Sequence, residues 1–332
     1  MILVDRQEFP VTGDFADTFN SVVGRKSRLV QIFGDHDVTK PLDCANMRHT
    51  TVFDWSGSRL FARFHDDYLG SNYAAIDMTR STGCTHKGLY LATRPKDAER
   101  APAFGVLQSR DASGNRASGK NRFYDCHIQG HLDVGFYNVG AEVSEAYGLL
   151  VSTTKPDAIA GIYMANRNVL GAESPFGHEP GNSSSATGAL FSGLHVRCDQ
   201  RGNTTPGVVI DGFDEIKIYG AYVRTGGSGP YVVLDATRNS IDGIQIDGVS
   251  SHGRPQAGIQ ITGAFANGIV NVRVIAQELH ATVPVSIGPV DLTSAFFEHS
   301  HSAAIAVDPA ARLRNVKENG RERVRDLDQT PA

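Results

Sequence analysis

The sequence predicts an all-β chain wound as one elongated parallel β-solenoid, and three observations carry that prediction. Short apolar-x-apolar strands recur about every 25 residues, a coil too short to hold two strands and a crossover helix. The 35 glycines in 332 residues, with 20% charged residues and one tryptophan, suit many tight turns between short strands. The repeat also stays in register across two families of strands, which an antiparallel sandwich has no reason to do.

The first element is a helix. Phe15, Phe19, Val22 and Val23 fall at helical spacing after Thr12 and Asp14, residues suited to cap a helix start. A solenoid leaves its core and an unpaired strand edge open at each end, so a short amphipathic helix here plugs the first coil. Residues 1–28 are read as this N-terminal cap.

Two strand families then alternate. One begins its apolar pattern at Cys126, Leu149, Leu194, Ile216, Ile244 and Val270, at intervals of 23, 45, 22, 28 and 26. The other runs through Ile162, Val208, Val232, Ile259 and Val285, at intervals of 46, 24, 27 and 26. Each long interval is one coil plus about 20 residues, and both straddle the same segment. Residues 29–308 are therefore read as the solenoid, with 166–187 as an inserted loop. Short turns suffice for the fold, so a loop of this length points to recognition. Its His178 and Glu179 lack the second histidine of a zinc-binding helix, and the expected role is substrate contact. From 309 to 332 the coil pattern gives way to a charged tail with five arginines between Arg312 and Arg325, either disordered or a partner-binding arm.

Composition excludes several function classes. A formal charge of −4, with no basic block before residue 310, gives no electrostatic grip on nucleic acid. No run approaches the roughly eighteen apolar residues of a membrane span, and Asp5, Arg6 and Glu8 occupy the place of a signal peptide's apolar core. Cys44, Cys84, Cys126 and Cys198 lie 40, 42 and 72 residues apart without a C-x-x-C pair, and are expected as buried thiols. The sequence asks for neither a metal nor a cofactor.

The run Thr12-Gly-Asp-Phe-Ala-Asp-Thr18, the helix after it, Leu29-Val-Gln-Ile-Phe33 and Val52-Phe-Asp-Trp-Ser-Gly57 resemble the opening of the pectate-lyase-like right-handed β-helices of bacteriophage tailspikes. Those chains begin Gly-Asp-Gly, then Asp-Asp-Thr, a capping helix and a first strand. Gly13, Asp14, Asp17 and Thr18 match, whereas Phe15 replaces the second glycine and Ala16 the first aspartate of the pair. The resemblance implies a right-handed, single-stranded parallel β-helix, a homotrimer, and a virion location on the tail or surface. It also implies recognition or cleavage of a bacterial surface polysaccharide. Three functions stay open: a spike that binds the polysaccharide, a lyase or glycoside hydrolase of the same fold, and a structural head or tail decoration that contacts other virion proteins. The motif set of β-helix polygalacturonases survives only as Ser251-His252-Gly253, which disfavours that class, and one tryptophan with 10 tyrosines is a thin sugar-stacking inventory.

Alternation sends neighbouring side chains to opposite faces, and parallel stacking sets equivalent positions ~4.8 Å apart. In the first family this brings His195, Arg197, Lys217 and Tyr219 into one block beside Glu215, with Asp247 and Arg273 continuing the rows. Arg197 and Lys217 suit a carboxylated sugar, while His195, Lys217 and Tyr219 suit proton transfer in a β-elimination. Asp211 and Asp235 stack after their second-family strands, with Asp214 near by, as an alternative acid–base pair, although aspartates at strand ends more often make turns. Outward Tyr163, Val209 and Val233 stack apolar groups where water is expected, so a neighbouring subunit or a folded-back loop is expected to cover them.

Overall fold

The computed structural model describes residues 13–23, 29–45, 47, 51–93, 95–112, 119–181, 187–198, 204–253 and 255–322. Its strands form a 17-stranded and a 10-stranded sheet, parallel throughout except for one terminal pairing and isolated bridges. The larger sheet folds along a corner, so most coils have three faces. The first face holds Arg122–Tyr124, Ser144–Tyr147, Thr187–Ser192 and Asp214–Tyr219. The second holds His127–Gly130, Leu150–Thr153, His195–Cys198 and Tyr222–Thr225. These two merge in the long strands Ile241–His252, Ile269–Glu278 and Asp291–His299. The smaller sheet is the third face, with Phe104–Ser109, Val134–Val139, Ala160–Ala165, Val208–Asp211, Val232–Ala236 and Ala257–Gly263.

The corner between the first and second faces is made by one residue per coil in the left-handed region: Asp125 at φ 51, Gly148 at 68, Gly193 at 64 and Gly220 at 60. A second left-handed column, Val143 at φ 48, Glu215 at 53 and Asn271 at 56, opens the first face. Except after Val143, where Ser144-Glu-Ala146 follows, these residues all precede apolar-x-apolar, so the two corners look alike in sequence. The first strand family therefore mixes two faces. Cys126, Leu149 and Leu194 start the second face, whereas Ile216 and Ile244 belong to the first. A two-residue slip follows, because Gln245 faces Arg273 where Asn271 was expected. The third face follows the predicted register, with Phe136, Ile162, Val208, Val232, Ile259 and Val285 in one buried column.

At the N-terminus the helix Phe15–Val22 is capped by Asp14, whose carboxylate accepts from Ala16 N at 2.8 Å and Asp17 N at 3.2 Å. Its Phe19 lies on Trp55 at 5.7 Å and plugs a core that is aromatic here, with His86 stacked between Phe53 at 4.7 Å and Phe123 at 5.2 Å. Toward the other end the core turns aliphatic, through Ile244, Ile246, Ile259, Ile261, Val272 and Val274. All four cysteines are buried and none forms a disulfide; burial pushes the Cys84 and Cys126 thiols up to about 12. The coils run past residue 308, because Arg312–Glu318 pairs in parallel with Asp291–His299 before a short antiparallel return at Arg321–Glu322. The tail expected from 309 is thus a further coil as far as 322, and the rest of it lies outside the described residues.

The insertion lies back over the outside of the third face. Val169, Leu170 and Ala172 pack against a second apolar cluster that includes Phe104, Leu107, Tyr137, Tyr163 and Val209. Leu170 N donates to the Tyr137 hydroxyl at 3.3 Å. Further on, Glu173 N donates to Asn72 O at 3.0 Å, Glu179 O accepts from Ala112 N at 2.9 Å, and Gly181 N donates to Arg110 O at 2.6 Å. The chain's own loop, one of the two covers expected, lies over Tyr163 and Val209, which are only 7% exposed, while Val233 is half-buried at the edge of the same cluster.

Candidate functional site

On the second face two outward rows run along the solenoid. The row beside the corner is Tyr90, His127, Leu150, His195 and Tyr222, in register across five coils. Tyr90 meets His127 edge-on at 5.0 Å, and His195 meets Tyr222 edge-on at 4.8 Å. Burial lowers the His127 pKa, with His195 and Arg197 adding to the effect. The row two residues on is Gln129, Ser152, Arg197, Arg224 and His252. It ends in a groove of about 880 Å³ lined by Arg224, Thr225, His252, Gly253, Leu279, His280 and His301. His252 and His280 rings stand 6.1 Å apart, and His301 Nε2 lies 2.9 Å from Ala281 O.

Guanidinium forks and imidazole N–H groups on one wall favour an anionic ligand. Among the described residues no group of three His, Cys, Asp or Glu side chains is placed to hold a metal ion. No helix among them is long and apolar enough to cross a membrane.

No protein family and no curated protein matches the sequence. Among solved structures, the enzymatically active domain of tailspike protein 2 of bacteriophage CBA120 superposes with a TM-score of 0.51 at 12% identity, over 93% of this chain and 50% of that one. The chain has the fold of a phage tailspike. The full-length tailspike protein 2 of an Escherichia coli O157:H7 bacteriophage also matches, with a TM-score of 0.49 at 13% identity, over 93% of this chain and 44% of that one. The chain thus spans about half the length of the tailspikes it matches.

On this tailspike fold the expected block separates along the corner. His195 and Arg197 stand on the second face opposite Tyr222 and Arg224, whereas Lys217 and Tyr219 stand on the first. Lys217 faces Leu190 and Gln245, and Tyr219 faces Ser192 and Asp247. His195, Lys217 and Tyr219 share no row, so register does not assemble them as a β-elimination set. Asp247 accepts from Gln245 Nε2 at 2.7 Å, Glu215 forms a left-handed corner, and Arg273 is exposed beside Gln245.

Asp211 and Asp235 do stack as the spacing predicts, but each is engaged locally. Asp211 accepts from the Tyr163 hydroxyl at 3.0 Å and from Arg238 at 2.7 Å. Its burial nevertheless raises the carboxyl pKa against both partners. Asp235 takes the turn role, accepting from Thr237 N at 2.8 Å. Asp214 accepts from Asp242 N at 2.8 Å, and burial raises its pKa too. In the insertion, His178 Nδ1 lies 3.1 Å from Arg80 Nη1, and Arg80 in turn pairs with Asp111 at 3.1 Å. His178 and Glu179 fasten the loop to earlier coils, a role their sequence context does not reveal.

The groove histidines escape sequence reading for a different reason. His280 and His301 follow the strands ending at Glu278 and His299, in turns whose length varies from coil to coil. Only His252 carries a signal, in Ser251-His252-Gly253.

Proposed function

We propose that the chain is a subunit of a phage spike that recognises an acidic polysaccharide on a bacterial surface through its second face. The row Arg197, Arg224 and His252, running into the histidine-lined groove, is the observation that carries this reading. Arginine at ~4.8 Å steps offers bidentate contacts to successive anionic groups, and the Tyr–His row beside it offers apolar ring edges to the sugar backbone. Assembly as a homotrimer and a place on the virion belong to the same proposal. Binding without cleavage is favoured because the residues suited to elimination do not share a row and Asp211 is held by Tyr163 and Arg238.

The test is retention of the protein on a panel of acidic capsular polysaccharides, with neutral dextran as control. Retention should fall with added salt and with Arg197→Ala or Arg224→Ala, while the polymer keeps its length. Undiminished retention by the double variant sinks the reading, and shortening of the polymer replaces it with the enzyme.

A further inference from the structure

The outward row that ends the first face runs Lys87, Tyr124, Tyr147, Ser192, Tyr219 and Asp247 in register. Tyr124 and Tyr147 stack with centroids 5.2 Å and planes 8° apart. That separation is close to the strand spacing, so the rings lie across the solenoid axis and the second face of Tyr147 looks toward the next coil. On that coil the ladder loses a ring, because the position is Ser192. Tyr219 supplies one again a coil later. Two strand spacings, about 9.6 Å, separate the Tyr147 and Tyr219 positions, a gap that one intervening ring fills at ordinary stacking distance from both.

The surroundings select the ring. Ser192 and half-buried Leu190 floor the gap, while Glu145 and Lys217 flank Leu190 on the neighbouring coils. Glu145 is oriented by Arg122 at 3.0 Å and the Tyr147 hydroxyl at 3.4 Å. Gly193, at the corner beyond Ser192, is exposed, and a Cβ built there meets nothing nearer than 3.8 Å, so the gap is open on that side. A flat aromatic ligand would use the tyrosine walls and leave Glu145 and Lys217 idle. A pyranose uses both, because its C–H face lies on a phenol ring and its equatorial hydroxyls reach an acceptor on one side and a donor on the other.

We propose that the gap between Tyr147 and Tyr219 is a slot for one pyranose ring of the glycan, a contact on the first face separate from the anionic groove. The slot rests on the reading that the ligand is a glycan, but it requires no charge on the sugar.

Ser192→Tyr completes the ladder and fills the slot, with Ser192→Ala as the control that leaves it open. The probes are the methyl pyranosides of glucose, galactose, mannose, N-acetylglucosamine and galacturonic acid at high millimolar concentration, read by saturation-transfer NMR. At least one should receive saturation on its ring protons from the wild type and from Ser192→Ala. With Ser192→Tyr the effect should fall about tenfold or more, while the melting temperature holds or rises as an added cross-strand aromatic contact predicts. Arg224→Ala should leave this signal intact while losing retention on acidic polymer. Equal saturation of the Ser192→Tyr variant, or no saturation of any of these glycosides by the wild type, overturns the slot. If retention on acidic polymer persists in either case, the groove stands and the slot alone fails.

Discussion

The outer surfaces of the third and second faces are built by the same alternation and finished in opposite ways. Outward on the third face stand Asp77, Leu107, Tyr137, Tyr163 and Val209, all buried, roofed by an insertion from the same chain. Outward on the second face stand His127, Leu150, His195 and Tyr222, with Arg197 and Arg224 beside them, half-buried or exposed. Beyond Val233 the third face itself turns polar outward, at Gln260 and Ser286. Asp77 apart, the outward residues are apolar where the chain covers itself and mostly polar or aromatic where it does not.

The largest test of that contrast removes the roof. Replacing 167–186 by a two-residue turn should cost on the order of 5 kcal/mol in urea unfolding and create a dye-binding apolar surface, because several large side chains lose their cover. Unchanged stability would mean that the third face is roofed by something else. A smaller loss is expected where the second and third faces meet: a Cβ at Gly161 falls 2.4 Å from Val196 Cγ1 and 2.8 Å from Gly207 O, so Gly161→Ala should cost about 2 kcal/mol.

Asp77 gives a change of the other sign. Its Oδ1 accepts from Thr79 N at 2.8 Å, the whole side chain is buried, and burial raises the pKa against the opposing hydrogen bonds of Ser174 and Thr79 and the charge of His178. A carboxyl with a raised folded pKa binds more protons folded than unfolded, so its contribution to stability is lost as pH rises from the unfolded value through the folded one. Asp77→Asn keeps the Oδ1 acceptor and should flatten that slope in pH-dependent melting, gaining about 1 kcal/mol at neutral pH. The smallest effects separate the two faces most sharply. Tyr163→Phe should cost about 1 kcal/mol and leave glycan retention alone, whereas Arg224→Ala should change stability by less than about 0.5 kcal/mol and lower retention.

The third face was legible because a period of two marks it in coil after coil, with Gly135, Gly161, Gly207 and Gly258 at the strand starts and Tyr231 in that place once. The first and second faces were not separable by the same means. Asp125, Gly148 and Gly193 turn one corner and Glu215 and Gly243 another, yet each precedes the same apolar-x-apolar signature. That is why His195 and Lys217 share a column in the sequence and stand on different faces in space. The insertion was legible as extra length, but its apolar Val169, Leu170 and Ala172 are too few and irregular to announce which surface they cover. The tyrosine ladder was hidden in a count: 10 tyrosines look sparse until register places Tyr124, Tyr147 and Tyr219 in one row.

The insertion also decides how the molecule comes apart. A stack in which each coil touches only its neighbours can unzip from an end, one coil at a time. Here the loop that leaves the strand Ala160–Ala165 is tied by main-chain hydrogen bonds to Asn72, Arg110 and Ala112, so it staples coils that are not adjacent. Pulled from its C-terminus in an optical trap, the chain should pay out in small steps of about one coil each down to residue 204, and then yield the stapled block in a single larger rip.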